Sequence, residues 1–102
     1  MLKISIKKTN SHVAEIIFLG HAMYDDYGKD IVCAAASSIL TTSVNSILAL
    51  EGNENSLTLK QDKDKITVVI TKPTDINQKL IKTMLDLLKD LEQNYPKNIK
   101  IN

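Results

Sequence analysis

The residue types that could do chemistry lie together in one short segment of the chain, from Gly20 to Cys33. This segment contains His21 and the only cysteine in the sequence, Cys33, which follows the histidine by 12 positions. An imidazole can take the proton of a nearby thiol, and the resulting thiolate is a strong nucleophile. A loop of that length can fold back and bring the two side chains together. The segment is therefore a candidate for a cysteine nucleophile with a histidine base.

The position of the thiol favours its ionisation. Asp30 is a plausible N-cap for an uncharged helix, which makes Cys33 the third helical residue. The amide groups and the dipole of a first helical turn favour an anion, so a thiol there is expected to ionise more readily. The same amide groups would hold the oxyanion of a tetrahedral intermediate.

Other interpretations remain open at this point. A lone cysteine in an apolar helix is often a small buried hydrophobic residue, and the chain would then be a non-catalytic interaction module. The second histidine, His12, lies in a turn and is expected to be solvated. One cysteine and two histidines supply too few ligands for a metal site, so no metal and no cofactor are expected.

Three further residues are candidates for supporting the chemistry or binding substrate. Gly20 would permit a close backbone approach beside the site. Asp30 could cap the helix, orient His21, or do both, and capping is the favoured role. Ser37 lies one helical turn beyond Cys33, where it could support the nucleophile or contact a substrate backbone, or simply pack. Tyr24 and Tyr27 are expected to be loop anchors or substrate contacts rather than catalysts.

The elements that must position these residues follow from hydrophobic periodicity and from turn and cap residues. Alternation predicts strands over residues 2–7, 12–19, 56–61, 65–71 and 99–101, and helices are predicted over 31–50 and 75–95. The apolar stripe of the second helix is expected to comprise Ile76, Leu80, Met84, Leu87, Leu88, Leu91 and Tyr95. The predicted fold is therefore α+β, a single small sheet of about five strands with two helices in the order ββαββαβ.

Composition excludes several classes of protein. With 102 residues, 43% of them hydrophobic and 25% charged, the chain fits a single domain over residues 1–102. All 13 basic residues are lysines, against 12 acidic residues, which argues against a nucleic-acid binder. The lone cysteine and an N-terminus unlike a secretion signal predict a cytoplasmic location.

The first predicted helix has an unusual surface. Residues 31–50 carry no charge and match the length of a membrane span, but seven of them are polar, so a buried helix is favoured and no membrane is expected. A sheet covers only one side of such a helix. A second helix or a partner subunit must cover the rest, and small residues such as Ala34 and Ser38 would permit close approach. We therefore expect a homodimer.

These residues also carry a resemblance to a known family. The run Gly20-His21-Ala22, the later run Gly28-x-Asp30-Ile31-Val32-Cys33-Ala34-Ala35-x-Ser37 and the following Ser43-Val44-Asn45 resemble the ribosomal-processing cysteine protease family, Prp. The length and the order of elements match as well, so the resemblance covers essentially the whole chain.

The resemblance implies a cytoplasmic, homodimeric endopeptidase that removes a short N-terminal extension from a bacterial large-subunit ribosomal protein. It implies that His21 is the general base and Cys33 the nucleophile. It also implies a mobile loop over residues 22–29 that opens for the substrate and closes over it.

Overall fold

The computed structural model describes residues 1–26, 30–52 and 56–102. The elements follow the order ββαββαβ, which confirms the predicted α+β class. Their bounds are β1 Leu2–Thr9, β2 His12–Leu19, α1 Ile31–Glu51, β3 Leu57–Asp62, β4 Lys65–Ile70, α2 Asp75–Asn94 and β5 Ile99–Ile101.

The strands form one five-stranded mixed sheet in the order β3-β4-β2-β1-β5. Only β1 and β5 are parallel among the strand pairs of the described chain. The central strand β2 pairs with β1 in a hairpin and with β4, where Leu19 lies opposite Lys65. Side chains alternate across a strand, so Ile16 and Phe18 of β2 both face the core. The end of β2 is thereby brought beside the turn that leads into β4.

Helix α1 has the ends that the sequence predicts. Asp30 is the N-cap, with its carboxylate accepting from the amides of Val32 and Cys33. Gly52 ends the helix in the left-handed conformation, at φ +59°, and its amide donates to the Leu48 carbonyl. The helix buries five residues, namely Val32, Ala36, Leu40, Val44 and Ile47. By length and composition alone it could cross a membrane, but its buried side chains belong to the protein core.

Helix α2 begins after Thr74, which forms a capping box with Asn77, and ends just before the predicted stop at Pro96. Its apolar stripe differs from the prediction. Ile76 and Leu87 are about half exposed, whereas Ile81 and Leu85 are buried. Compared with the predicted stripe, the buried one is shifted by one position along the helix and follows the line through Asn77, Ile81, Met84 and Leu88. This is the face of α2 that meets α1 and the sheet.

The two helices differ on the side that faces away from the core. The outer face of α2 carries the ion pairs Asp75–Lys79 and Lys82–Asp86. The outer face of α1 carries no charged residue before Glu51, and 55% of Ile31 is exposed there. The expected shortage of cover over α1 is therefore present in the single chain.

Candidate active site

His21 is placed by a turn at the end of β2. Gly20 has φ +86°, which favours glycine, and a Cβ atom there would lie 3.0 Å from the Met1 carbonyl oxygen. The Gly20 amide donates to the Asp64 carbonyl at 2.8 Å. The close backbone approach predicted for Gly20 is thus present, and it directs the chain from the sheet into the candidate site.

Cys33 lies in the first turn of α1, partly buried and packed against the core. Its Sγ accepts a hydrogen bond from the amide of Ala22 at 3.1 Å. Ala22 directly follows His21, so this bond holds the histidine segment against the thiol. The two residues singled out from the sequence are therefore brought together at the junction of β2 and α1.

Asp30 acts as a cap and as a loop tether. One carboxylate oxygen accepts from the Val32 and Cys33 amides at 2.9 and 3.0 Å, and the other accepts from the Tyr24 amide at 2.9 Å. Partial burial raises the pKa of this carboxyl, but the amide hydrogen bonds outweigh that effect and hold the pKa below its usual range. Of the roles left open for Asp30, capping is the one that the structure shows.

This cap changes one expectation about catalysis. The amides of Val32 and Cys33 already donate to Asp30, so the expectation that they would hold an oxyanion is wrong for this structure. A carboxylate is a strong acceptor and satisfies the first amides of a helix. The amide that lies beside the sulfur is instead that of Ala22.

The His21 ring has a partner that sequence reasoning missed. Its Nε2 lies 2.9 Å from Oδ1 of Asp64, in the turn between β3 and β4, and the two side chains are 54% and 51% exposed. Asp64 lies 43 residues from His21 in the sequence, in a charged turn that directly follows Asp62, the last residue of β3. Knowledge that β2 and β4 are neighbours would have revealed it.

Two cavities meet at the candidate catalytic pair. The first, of about 570 Å³, is lined by His21, Met23, Asp25, Asp26, Asp30, Cys33, Ala34 and Ser37. The second, of about 330 Å³, lies toward the β3–β4 turn and includes Gly20, Gln61 and Asp64 among its lining residues. His21, Cys33 and Ser37 line both cavities. An extended chain could therefore occupy space on both sides of the thiol.

The first residues of the loop are anchored to the far end of the chain. The Tyr24 and Tyr95 rings meet edge to face at 5.3 Å, and Asn98 donates its side-chain amide to the Ala22 carbonyl at 3.0 Å. Tyr24 is therefore a loop anchor, one of its two expected roles. Sequence reasoning missed Asn98 because nothing local distinguishes it from other asparagines. The mobile loop was expected over residues 22–29. Its last three residues, 27–29, which include Tyr27 and Gly28, lie outside the described residues.

The chain is similar to known proteins over nearly its whole length. A sequence profile of the family described as Cysteine protease Prp matches residues 1–100. The ribosomal processing cysteine protease Prp of Staphylococcus aureus is 34% identical over 91 residues, covering 88% of this chain and 86% of the relative. The protein of the same description from Mycoplasma genitalium is 31% identical over 102 residues, covering 100% of this chain and 95% of the relative.

A solved structure agrees with these sequence matches. The essential ribosomal processing protease Prp from S. aureus, in complex with a covalently linked product peptide, is similar to this chain with a TM-score of 0.90. The two are 32% identical, and the match covers 100% of this chain and 98% of that one.

Proposed function

This chain belongs to the Prp family of ribosomal processing cysteine proteases, and from that premise we propose that it removes the short N-terminal extension of a bacterial large-subunit ribosomal protein. The observation that carries the proposal is the pair of cavities that share His21 and Cys33. An endopeptidase must hold peptide on both sides of the bond that it cuts. The S. aureus relative has been seen with a substrate peptide, which supports the same class of substrate here.

The proposed mechanism uses His21 and Cys33 as base and nucleophile. The imidazole takes the thiol proton, and the thiolate attacks the scissile carbonyl carbon to give a tetrahedral oxyanion. Collapse of this intermediate breaks the carbon–nitrogen bond, and His21 gives its proton to the leaving amine. His21 then takes a proton from water, and the resulting hydroxide attacks the thioester. This releases the carboxylic acid and restores the thiol.

The Ala22 amide has a defined part in this scheme. In the resting enzyme it donates to Cys33 Sγ and so holds the sulfur in a fixed position at the start of α1. When the sulfur becomes bonded to the substrate carbon, the same amide is close to the developing oxyanion and can donate to it. The hydrogen bond from Asn98 to the Ala22 carbonyl fixes the orientation of this residue.

The remaining parts of the proposal concern the whole protein. We infer a single protease domain over residues 1–102 that acts in the cytoplasm on newly made ribosomal protein. We also infer a homodimer, in which the uncharged outer face of α1 meets a second copy. The exposed Ile31 on that face supports this inference, because a partner subunit would remove it from water.

Intact mass spectrometry tests the activity directly. The extended ribosomal protein is incubated with this chain, with Cys33→Ala, with His21→Ala, and with His12→Ala as a matched control on the other, exposed histidine. One shortened product is expected from the unaltered chain and from His12→Ala. Cys33→Ala should give none, and His21→Ala should be slower by about 10²- to 10⁴-fold, the usual contribution of a positioned general base.

The outcomes separate the proposal from the alternative of a non-catalytic interaction module. No cleavage by the unaltered chain, together with slow alkylation of Cys33 at neutral pH, would support that alternative. Cleavage that persists in His21→Ala at the unaltered rate would contradict the assignment of the base.

A further inference from the structure

We propose that Asp64 is a positioning residue for His21, holding the imidazole in the tautomer and orientation that leave Nδ1 to accept the Cys33 proton. The inference depends on the proposed roles of His21 and Cys33 as base and nucleophile. It adds a third residue to that pair, supplied by a turn far away in the sequence.

The hydrogen bond to Asp64 determines which ring nitrogen is the base. His21 Nε2 lies 2.9 Å from Asp64 Oδ1, and an ionised carboxylate only accepts hydrogen bonds. Nε2 must therefore carry the hydrogen. In a neutral imidazole this leaves the lone pair on Nδ1, so the ring can take a proton there. Once the ring is protonated, the same carboxylate stabilises the imidazolium and hence the thiolate–imidazolium pair.

Asp64 is fixed by main-chain contacts. Its carbonyl accepts from the Gly20 amide at 2.8 Å, one residue before His21. The next residue, Lys65, pairs with Leu19 of β2 on one side and with Asp62 of β3 on the other. Two strand pairings and one turn hydrogen bond therefore hold the Asp64 backbone beside the histidine. The side chains of aspartate and histidine are also short, so less side-chain entropy is lost than in an ordinary surface ion pair between two long side chains.

The other charged groups around the site do not duplicate this contact. Asp25, Asp26 and Asp30 line the first cavity, and Lys63 and Lys65 line the second. Asp30 is committed to main-chain amides through both of its oxygens. Within the described chain, the carboxylate bonded to the His21 ring is that of Asp64.

The exposure of the pair limits the size of the effect. Both side chains are about half exposed, so solvent screens their attraction. We expect loss of the Asp64 carboxylate to slow the chemistry by about fivefold, near the upper end of what such a pair contributes. This is far smaller than the expected loss in His21→Ala, as befits a residue that acts through the base.

The experiment compares Asp64→Ala and Asp64→Asn with Asp62→Asn, a matched control two residues earlier, at the end of β3. Asp62 accepts a hydrogen bond from the Lys63 amide, so the control makes the same change in charge without touching the histidine. The first readout is the rate at which iodoacetamide alkylates Cys33 at neutral pH. We expect Asp64→Ala to be about fivefold slower than the unaltered chain. Asp64→Asn should fall between them, because its amide oxygen can still accept from Nε2, and Asp62→Asn should match the unaltered chain.

The second readout is steady-state cleavage of a peptide that spans the processing site. For Asp64→Ala we expect kcat to fall by a similar factor with KM unchanged, and Asp64→Glu should restore part of the loss. Alkylation and kcat at the unaltered rates in both Asp64→Ala and Asp64→Asn would overturn the proposal. So would a rise in KM with alkylation unchanged, since Asp64 would then be a substrate contact. Equal slowing in Asp62→Asn would also overturn the proposal, because the effect would then come from the net charge near the turn and not from the contact between Asp64 and His21.

These readouts also separate this inference from the proposed function. Alkylation needs no peptide, so it tests Asp64 even if the ribosomal protein is not the substrate. Thermal unfolding of each variant shows whether the turn has remained intact. If Asp64→Ala is unfolded, Asp64→Asn keeps the size and shape of the side chain and decides the question.

Discussion

The two helices are similar in length, at 21 and 20 residues, yet they have different tasks. Helix α2 buries one stripe in the core and shows a charged face to water. Helix α1 carries the proposed nucleophile in its first turn and leaves an uncharged outer face. The comparison teaches that α2 is complete within one chain, whereas α1 leaves two surfaces for which we propose other molecules, a peptide at its start and a second subunit along its length.

The N-terminal caps of the two helices also differ in what else they bind. Thr74 caps α2 through its hydroxyl, and that hydroxyl also donates to Glu51 at the end of α1, which joins the two helices. Asp30 caps α1 through a carboxylate that also binds the Tyr24 amide. One cap stabilises a helix–helix contact, and the other holds the active-site loop. Both are ordinary capping interactions, and what else they hold determines their importance for activity.

Among the tests that compare the two helices, the largest effect is expected from charging the outer face of α1. Thr41 is exposed in the middle of α1, and Thr83 is exposed in the middle of α2. In the proposed dimer, Thr41→Lys would bury an unpaired charge, at a cost of about 3 kcal/mol or roughly a 100-fold weaker dimer. Thr83→Lys should change nothing, because that face is already solvated. Analytical ultracentrifugation measures both variants, and a monomeric unaltered chain at micromolar concentration would contradict the dimer.

The next effect separates stability from activity at the two caps. Asp30→Ala and Thr74→Ala should each lower the free energy of unfolding by about 1 kcal/mol, because each leaves helix amides without a partner. Only Asp30→Ala also releases the Tyr24 amide. We expect its kcat/KM to fall by about tenfold, since small misplacements near the reacting atoms are costly. Urea unfolding and cleavage assays check both variants. An equal loss of activity in Thr74→Ala would contradict the expectation that only the Asp30 cap matters for activity.

The smallest effect is a dependence of stability on pH. Because the pKa of Asp30 is lower in the folded chain, the unfolded chain binds the proton first as the pH falls. The stabilisation is therefore present at neutral pH and is lost as the pH falls through the folded pKa. In Asp30→Asn the amide oxygen can still cap the helix but does not titrate. We expect the difference in unfolding free energy from the unaltered chain, less than about 1 kcal/mol, to shrink on acidification, measured by urea unfolding.

Glu51 is the last residue of α1, and it provides the corresponding test because it binds the cap of α2. The Thr74 hydroxyl is the main cause that holds the pKa of Glu51 below its usual range, with a further hydrogen bond from Asn77. Glu51→Gln should therefore also flatten the dependence of stability on acid. Unlike Asp30→Asn, it should do so with no change in cleavage at neutral pH.

Local features of the sequence were enough to predict most of the fold. The ends of α1 at Asp30 and Gly52 could be predicted because caps depend on neighbouring residues alone. The predicted second strand matches β2, because β-branched residues and the glycine after it mark its limits. The apolar stripe of α2 was misplaced by one position at Ile76 and Leu87, since the direction from which α1 and the sheet approach is a tertiary property.

The candidate site could be predicted only where its residues share a loop. His21 and Cys33 flank one segment, so their types and spacing revealed them. Asp64 and Asn98 join the site through the order of strands and through the packing of the last turn, which no local pattern encodes. Ala22 was missed for a different reason, because it acts through its main-chain amide, and an amide is present at every residue but proline.

The neighbouring positions of β2 and β4 also have a consequence for biosynthesis. His21 and Cys33 leave the ribosome well before the turn that contains Asp64, and β4 must be made before it can pair with β2. A partly synthesised chain therefore holds both reacting groups without the sheet that orients them. We expect proteolytic activity to arise only when the second hairpin has folded, so the order of synthesis itself delays the reaction of the nascent chain.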